Sequence, residues 1–247
     1  MKILVCISQA PDTTSKIAFT DNNTKFNEAG VTYIINPYDE WYALVRALEL
    51  KEAGIATEIS IATVGNASSE AIIRKALALG GDQAYRINTE SNDTYLVAAQ
   101  IAAFAKEKGF DLILTGKESI DYNNASVGAS IAADLDLEYV GFATKLDVSG
   151  TTLTVTREIE GGEETATLST PAVISCQKGM AEARIPNMRG IMAARTKPLN
   201  VIEPAAISAL TTIASYELLP AKSGVKLFEI DQMDALVAAL HNEAKVI

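Results

Sequence analysis

The residues whose types and spacing suggest chemistry lie between Asp111 and Leu135, in the run DLILTGKESIDYNNASVGASIAADL. A short apolar run, Leu112, Ile113 and Leu114, ends at Thr115-Gly116. A polar loop follows, with Lys117, Glu118, Ser119, Ile120, Asp121, Tyr122 and Asn123. Apolar residues at Val127, Ile131, Ala132 and Leu135 then predict a helix. A strand, a glycine, a loop and a helix start in that order lay out a nucleotide site in an open α/β sheet, where ligands sit beyond the carboxyl ends of the strands. The free N–H groups of a first helical turn attract phosphate. Asn123 and Asn124 are the expected caps, and Ser126, after Ala125, adds a hydroxyl near the first turn. The same layout also serves as an ordinary strand-to-helix connection. Neither G-x-G-x-x-G nor G-x-x-x-x-G-K-[ST] is present, so the run suggests a nucleotide without carrying a fingerprint for one.

Nothing pairs a nucleophile with a base. The single histidine, His241, falls in a C-terminal helical pattern, and Cys6 and Cys176 each lie inside an apolar run. Two cysteines and one histidine are too few for a cysteine-based metal site. Buried free thiols fit a reducing compartment. The opening MKILVCIS reads as a strand and not as a secretion signal, so a cytoplasmic protein is the expectation. No stretch approaches the roughly 20 apolar residues of a membrane span. With 31 acidic against 21 basic residues, the net charge of −10 argues against a nucleic-acid or anionic-membrane surface. A 48% hydrophobic content supports a sizeable core, and the chain reads as a binding scaffold.

The elements that must position the loop can be read in order. Strands are predicted at Lys2 to Ser8, Glu58 to Val64, Ala84 to Ile87 and from Asp111, with a hairpin over Ile17 to Asn27. Helices are predicted from about Tyr38 to Ala53, from Ser68 or Ser69 to Leu79, and from Tyr95 to Lys108 with Asp93 as cap. Asn36 and Pro37 read as the start of the first helix and Gly54 as its stop. This alternation gives an open, mostly parallel, doubly wound sheet. Its loops after Ser8, Val64 and Thr115 all leave strand carboxyl ends and can converge on one ligand. After Leu137 the pattern changes to β segments at Phe142 to Val148, Thr151 to Ile159, Thr165 to Ser169 and Ala172 to Cys176, an expected antiparallel extension. Residues 177–195 read as an irregular stretch in which methionines and isoleucines alternate with arginines, suited either to docking or to covering the core. Residues 1–200 are assigned to the main domain. Residues 201–247 form a C-terminal arm ending in an amphipathic helix from about Asp231 to Glu243.

The stretch VTREIEGGEETATLSTPAVIS, Val155 to Ser175, resembles the signature of electron transfer flavoprotein beta subunits. The matching positions are Val155, Arg157, Glu160-Gly161-Gly162, Glu164, Pro171 and Val173-Ile174, with Ala166 where a larger aliphatic is usual. Ile35-Asn36-Pro37-Tyr38, the GKESID loop and Ser223-Gly224-Val225-Lys226 extend the resemblance over nearly the whole chain. It implies a fold like that of adenine-nucleotide hydrolases and an electron carrier, not an enzyme. The implied partners are an alpha subunit that holds most of an FAD, and acyl-CoA or other flavin dehydrogenases. It implies a structural AMP held by Cys6, Asn36, Pro37, Tyr38, Asp39, Val64 and Gly116 to Val127, with Tyr38 near the flavin. A second flavin contact of the family falls on Thr13, which is not aromatic. The stretch 177–195 matches the family's recognition loop, with Met188 as the anchor and Arg184, Arg189, Ile191 and Met192 beside it. Ala125, Val127 and Gly128 lean towards bifurcating relatives that hold a second FAD in place of AMP. A nucleotide-binding stress-type protein is the other reading, although it would not require the Val155 to Ser175 signature.

Overall fold

The computed structural model describes residues 1–37, 39–222 and 224–247, so the expectation placed on Tyr38 lies outside the described residues. The chain opens with β1 (Lys2–Cys6) and β2 (Gln9–Pro11), then the two-residue strands β3 (Phe19–Thr20) and β4 (Lys25–Phe26), and β5 (Tyr33–Ile35). Next come α1 (Asp39–Glu52), β6 (Glu58–Val64), α2 (Glu70–Leu79), β7 (Gln83–Ile87), α3 (Thr94–Lys108), β8 (Leu112–Gly116) and α4 (Val127–Leu135). The second half holds β9 (Glu138–Ser149), β10 (Thr152–Ile159), β11 (Gly162–Ser169), β12 (Ala172–Cys176), α5 (Met188–Ala194), β13 (Leu199–Ile202) and α6 (Met233–Ala239).

Among the described residues the main sheet runs β11-β10-β9-β12-β8-β1-β6-β7-β13. From β12 to β13 every pairing is parallel, while β9, β10 and β11 are antiparallel to one another. The fold is therefore the open, mostly parallel α/β sheet expected from the sequence. The central strands are continuous apolar runs because both faces are covered. Along β1, Ile3 and Val5 join one core with α1 and α2, and Leu4 and Cys6 join the other with α3 and α4. Each fully buried Ile or Leu in these layers contributes roughly 1.5–3 kcal/mol.

Two assignments change. Ala172–Cys176 does not extend the antiparallel ribbon; it inserts between β8 and β9, parallel to both. Its five residues are all buried, as an inner strand requires. β9 starts earlier than expected and serves two neighbours, β12 with its first half and β10 with its second. The change occurs at Phe142, whose φ of 59° is left-handed, beside a register shift. β13 was not expected; it is a short, half-exposed edge strand whose alternating pattern is too brief to stand out.

The stretch 177–195 is also more regular than expected. Met188–Ala194 forms α5, capped by Asn187, whose side chain accepts from the Gly190 N–H at 2.8 Å. The Arg74 guanidinium donates to the carbonyls of Ala194 and Lys197, tying this segment to α2. Gly190 allows the approach: a Cβ there would lie 2.2 Å from the Ala78 carbonyl oxygen. Gly190→Ala should therefore cost about 1–3 kcal/mol through overpacking. Denaturant unfolding checks this, and an unchanged midpoint would mean that α5 is not seated on α2 in this way.

Candidate functional site

β1 pairs with β6 on one side and β8 on the other. Chain order proceeds outwards to β7 and then returns to β8, so the topological switch lies between β1 and β8, where a ligand crevice opens in such sheets. Cys6, Val64 and Gly116 end these three strands. Cys6 shares an apolar cluster with Val64 and Val127, which brings three separately predicted positions together. Burial, and then the nearby Glu40, push the Cys6 thiol well above its ordinary value, so it packs and does not react. Burial raises the Cys176 thiol likewise.

Asn36 is not spent on capping α1. Its side-chain amide donates to the Glu118 carbonyl at 2.7 Å and its oxygen accepts from the Ile120 N–H at 3.0 Å. The loop after β8 is thus clamped from the loop before α1, across 82 residues of sequence. Glu118 donates a backbone N–H to Asp39, and the Lys117 N–H donates to the Cys176 carbonyl at 2.8 Å. Lys117 pairs with the Glu118 carboxylate at 3.0 Å. Pro37, Asp39, Lys117, Glu118, Ile120, Asn123 and Lys178 line a polar cavity of about 370 Å³. Lys178 was absent from the predicted set; its only sequence signal is the QKG turn directly after β12.

Neither Asn123 nor Asn124 caps α4. Asn123 and Ala125 take left-handed backbone angles, φ 52° and 50°, which carry the chain into the helix. Ser126 occupies the cap position but makes no side-chain cap bond, and the first turn contains no acidic residue. The end of α4 is therefore without a side-chain cap, and such an end suits an anion. Two buried hydroxyls, Thr63 Oγ1 and Thr115 Oγ1, have no hydrogen-bond partner. They lie at the carboxyl ends of β6 and β8 but on opposite faces of the sheet, Thr63 on the side of α1 and α2 and Thr115 on the side of α3 and α4. Buried polar groups are normally satisfied, so a polar ligand or ordered water fits beside them. Gly116 has a different reason from the one expected. A Cβ there would meet Glu40 Cγ at 2.7 Å and the Glu40 nitrogen at 2.9 Å, so α1 already approaches this position closely.

Glu40 was missed by sequence reading, hidden in an ordinary helical run. Its two carboxylate oxygens accept from the Ser8 N–H and Ser8 hydroxyl, each at 2.6 Å, and fix the loop that leaves β1. Burial pushes this carboxyl up to about 8, against the opposing effect of the Ser8 hydrogen bonds.

Residues 183–195 flank an apolar groove of about 980 Å³ with Ile34, Trp41 and Tyr42 on its opposite side. Met180 is core, whereas Met188 is 72% and Met192 66% exposed, with Ile185, Arg189 and Ile191 also exposed. Arg184 is committed within the chain, its guanidinium bidentate on Glu52 at 2.7 and 3.0 Å and its carbonyl accepting from Trp41 Nε1. The C-terminal arm is apolar and uncovered, with Leu219 91% and Ile230 94% exposed. Its final helix is shorter than expected and gives way at Leu240–Ala244 to a wider π turn containing the exposed His241. No group of three or more metal-ligating side chains occurs among the described residues, and no described helix is long and apolar enough to cross a membrane.

Residues 23–207 match the family model for the electron transfer flavoprotein domain. The electron transfer flavoprotein subunit beta of Syntrophomonas wolfei is 36% identical over 250 residues, covering 100% of this chain and 98% of that protein. The Bacillus subtilis subunit beta is 36% identical over 262 residues with both chains fully covered. The Caffeyl-CoA reductase-Etf complex subunit CarD of Acetobacterium woodii is 33% identical over 205 residues, 81% of this chain and 78% of that one. The chain belongs to the electron transfer flavoprotein family, and these relatives that cover its full length are subunits beta.

The Glu40 carboxyl gives a pH prediction. Because its folded value stands near 8 and its ordinary value is 4.5, the native state holds the proton more tightly. The stability that wild type has relative to Glu40→Gln should be greatest below about pH 4.5. It should fall by up to roughly 1.4 kcal/mol per pH unit as pH rises towards 8, then level off. Paired urea titrations at several pH values measure it, and a pH-independent difference would remove the buried-proton assignment.

Proposed function

We propose that this chain is the nucleotide-bearing beta half of a heterodimer that takes electrons from acyl-CoA or other flavin dehydrogenases and passes them to an acceptor oxidoreductase. The observation that carries the reading is the clamped loop 117–124. It leads into an uncapped α4 beside the unpartnered buried Thr115 hydroxyl. Backbone N–H groups of the α4 first turn and the Ser126 hydroxyl would receive the phosphate of AMP, with Cys6, Val64 and Val127 as the apolar wall. Asp39 and Asn36 hold the loop in place from behind. FAD held mainly by an alpha subunit supplies the redox chemistry, and this chain's share is to seat the partner and bring the electron donor to it. Ala125, Val127 and Gly128 support a second reading, in which FAD replaces AMP in the same pocket. Co-expression with an alpha subunit followed by denaturation and chromatography separates them: one flavin and one AMP per heterodimer, or two flavins. A heterodimer that holds only flavin at unit stoichiometry would refute both.

The uncovered arm supports attachment to the alpha subunit, because exposed apolar side chains along 218–237 have no cover within the chain. Met188, Met192 and Ile191 support docking to dehydrogenases, since flexible apolar anchors suit more than one partner surface. Arg189 joins them as a cation, whereas Arg184 serves Glu52. Met188→Ala should slow electron transfer from a dehydrogenase while leaving cofactor content and melting temperature close to wild type. Truncating a core methionine would instead cost roughly 2–5 kcal/mol. A variant that melts markedly lower yet transfers electrons normally would return Met188 to a packing role.

A further inference from the structure

The arm does not simply leave the domain; it is first tied to α3 and then to two loops. Gln100, buried on α3, accepts from the Ala205 N–H at 2.8 Å and donates to the Ala205 carbonyl at 2.9 Å. Asp93, also buried, divides its oxygens between two tasks. Oδ1 caps α3 through the N–H groups of Tyr95 and Leu96, at 2.8 and 3.1 Å. Oδ2 holds the arm, accepting from the Leu210 and Thr211 N–H groups at 2.6 and 2.5 Å and from the Thr211 hydroxyl at 3.1 Å. Hydrogen bonds to an ionised acceptor are stronger than neutral ones, so this is a firm anchor at the carboxyl edge of the sheet.

From that anchor the arm reaches Tyr216, whose N–H donates to the Asn23 carbonyl at 2.7 Å. Its ring stacks on Phe19 with centroids 4.8 Å apart and planes 11° apart. Its hydroxyl bonds to that of Tyr122 and lies 3.5 Å from Asn92 Nδ2. Phe19 and Asn23 belong to the hairpin after β1, and Tyr122 to the loop after β8. One aromatic side chain thus joins the hairpin after β1 to the loop after β8. Beyond it, at Leu218 and Leu219, the arm is exposed and open to another chain.

We infer that Tyr216 is a positioning residue of the nucleotide site: the segment 205–216 straps the loops after β1 and β8 together, and nucleotide release requires that strap to lift. The inference rests on the nucleotide reading given above and adds a fourth element to the site. It also gives the arm a second duty, because a partner that holds its far end holds the strap down and slows nucleotide exchange.

The test uses the full chain purified with its alpha subunit and loaded with AMP bearing a ribose fluorophore. Release is followed after adding excess unlabelled AMP. Loss of both the stack and the hydroxyl bond in Tyr216→Ala should speed release roughly ten-fold. Tyr216→Phe keeps the stack and should fall between that variant and wild type, a graded rescue that a general loss of folding would not produce. Asp93→Asn keeps one oxygen for the α3 cap but turns an amide towards the Leu210 and Thr211 donors, and it too should speed release with flavin retained. If wild type binds the probe and all three variants release it at the wild-type rate, the strap is overturned and the site stands. If the wild-type heterodimer binds no adenine nucleotide, the site reading fails and the strap falls with it.

Discussion

The candidate site depends on one side-chain amide. Asn36 presents a donor to Glu118 and an acceptor to Ile120, and both bonds reach a loop more than 80 positions away in sequence. A loop of this polarity, Lys117 to Asn124, has only Ile120 and Tyr122 as large apolar residues, and neither is buried in the core. Its shape must therefore come from hydrogen bonds. Asn36 is fully buried, and a buried amide is stable only when both ends are satisfied, so clamp and loop specify each other.

Behind that clamp sits a buried carboxyl. Glu40 lies in the first turn of α1, where the helix dipole favours a negative charge, yet burial raises its proton affinity. Its bonds to Ser8 set the direction in which the chain leaves β1, and its backbone closes on Gly116 at the end of β8. The two strands at the topological switch are thus held in fixed relation by one helical turn. Gly116 is needed for that turn to approach, which explains the glycine in the TGKES sequence without invoking the ligand.

Much of this fold was legible because its central strands are continuous apolar runs and its helices carry clear periodicity. KILVC, EISIATV, LILTG and AVISC could each be recognised, and Gly54 marked the end of the first helix. What escaped was long-range. Whether AVISC joins the ribbon before it or the parallel strands depends on pairing partners, and periodicity does not carry that information. Asn36 looked like a helix cap because Asn before Pro usually is one, and the Glu118 and Ile120 backbone groups that claim it are invisible in sequence. Glu40 and Arg184 were obscured for the same reason, since a charged residue in a helix or polar stretch gives no sign of the partner it buries against. The short helix α5 was masked by a run rich in arginine and methionine, and it became evident only through Asn187 and the close contact of Gly190 with α2.

The segment 183–195 and the arm each carry exposed apolar surface that this chain does not cover. Both are tied back by polar contacts, the segment through Arg184 on Glu52 and Trp41 on the Arg184 carbonyl, the arm through Asp93. The order of the loop 117–124, proposed as the nucleotide loop, is the central claim. The most direct measurement is the adenine nucleotide released on denaturing the heterodimer when Asn36 is replaced by Asp. This change is isosteric but removes the amide donor that Asn36 gives to Glu118 and to the buried Glu40. Wild type should yield close to one nucleotide per heterodimer and the Asn36→Asp protein, still folded, only a small fraction of that. Equal nucleotide in both proteins would contradict the clamp as the basis of the site.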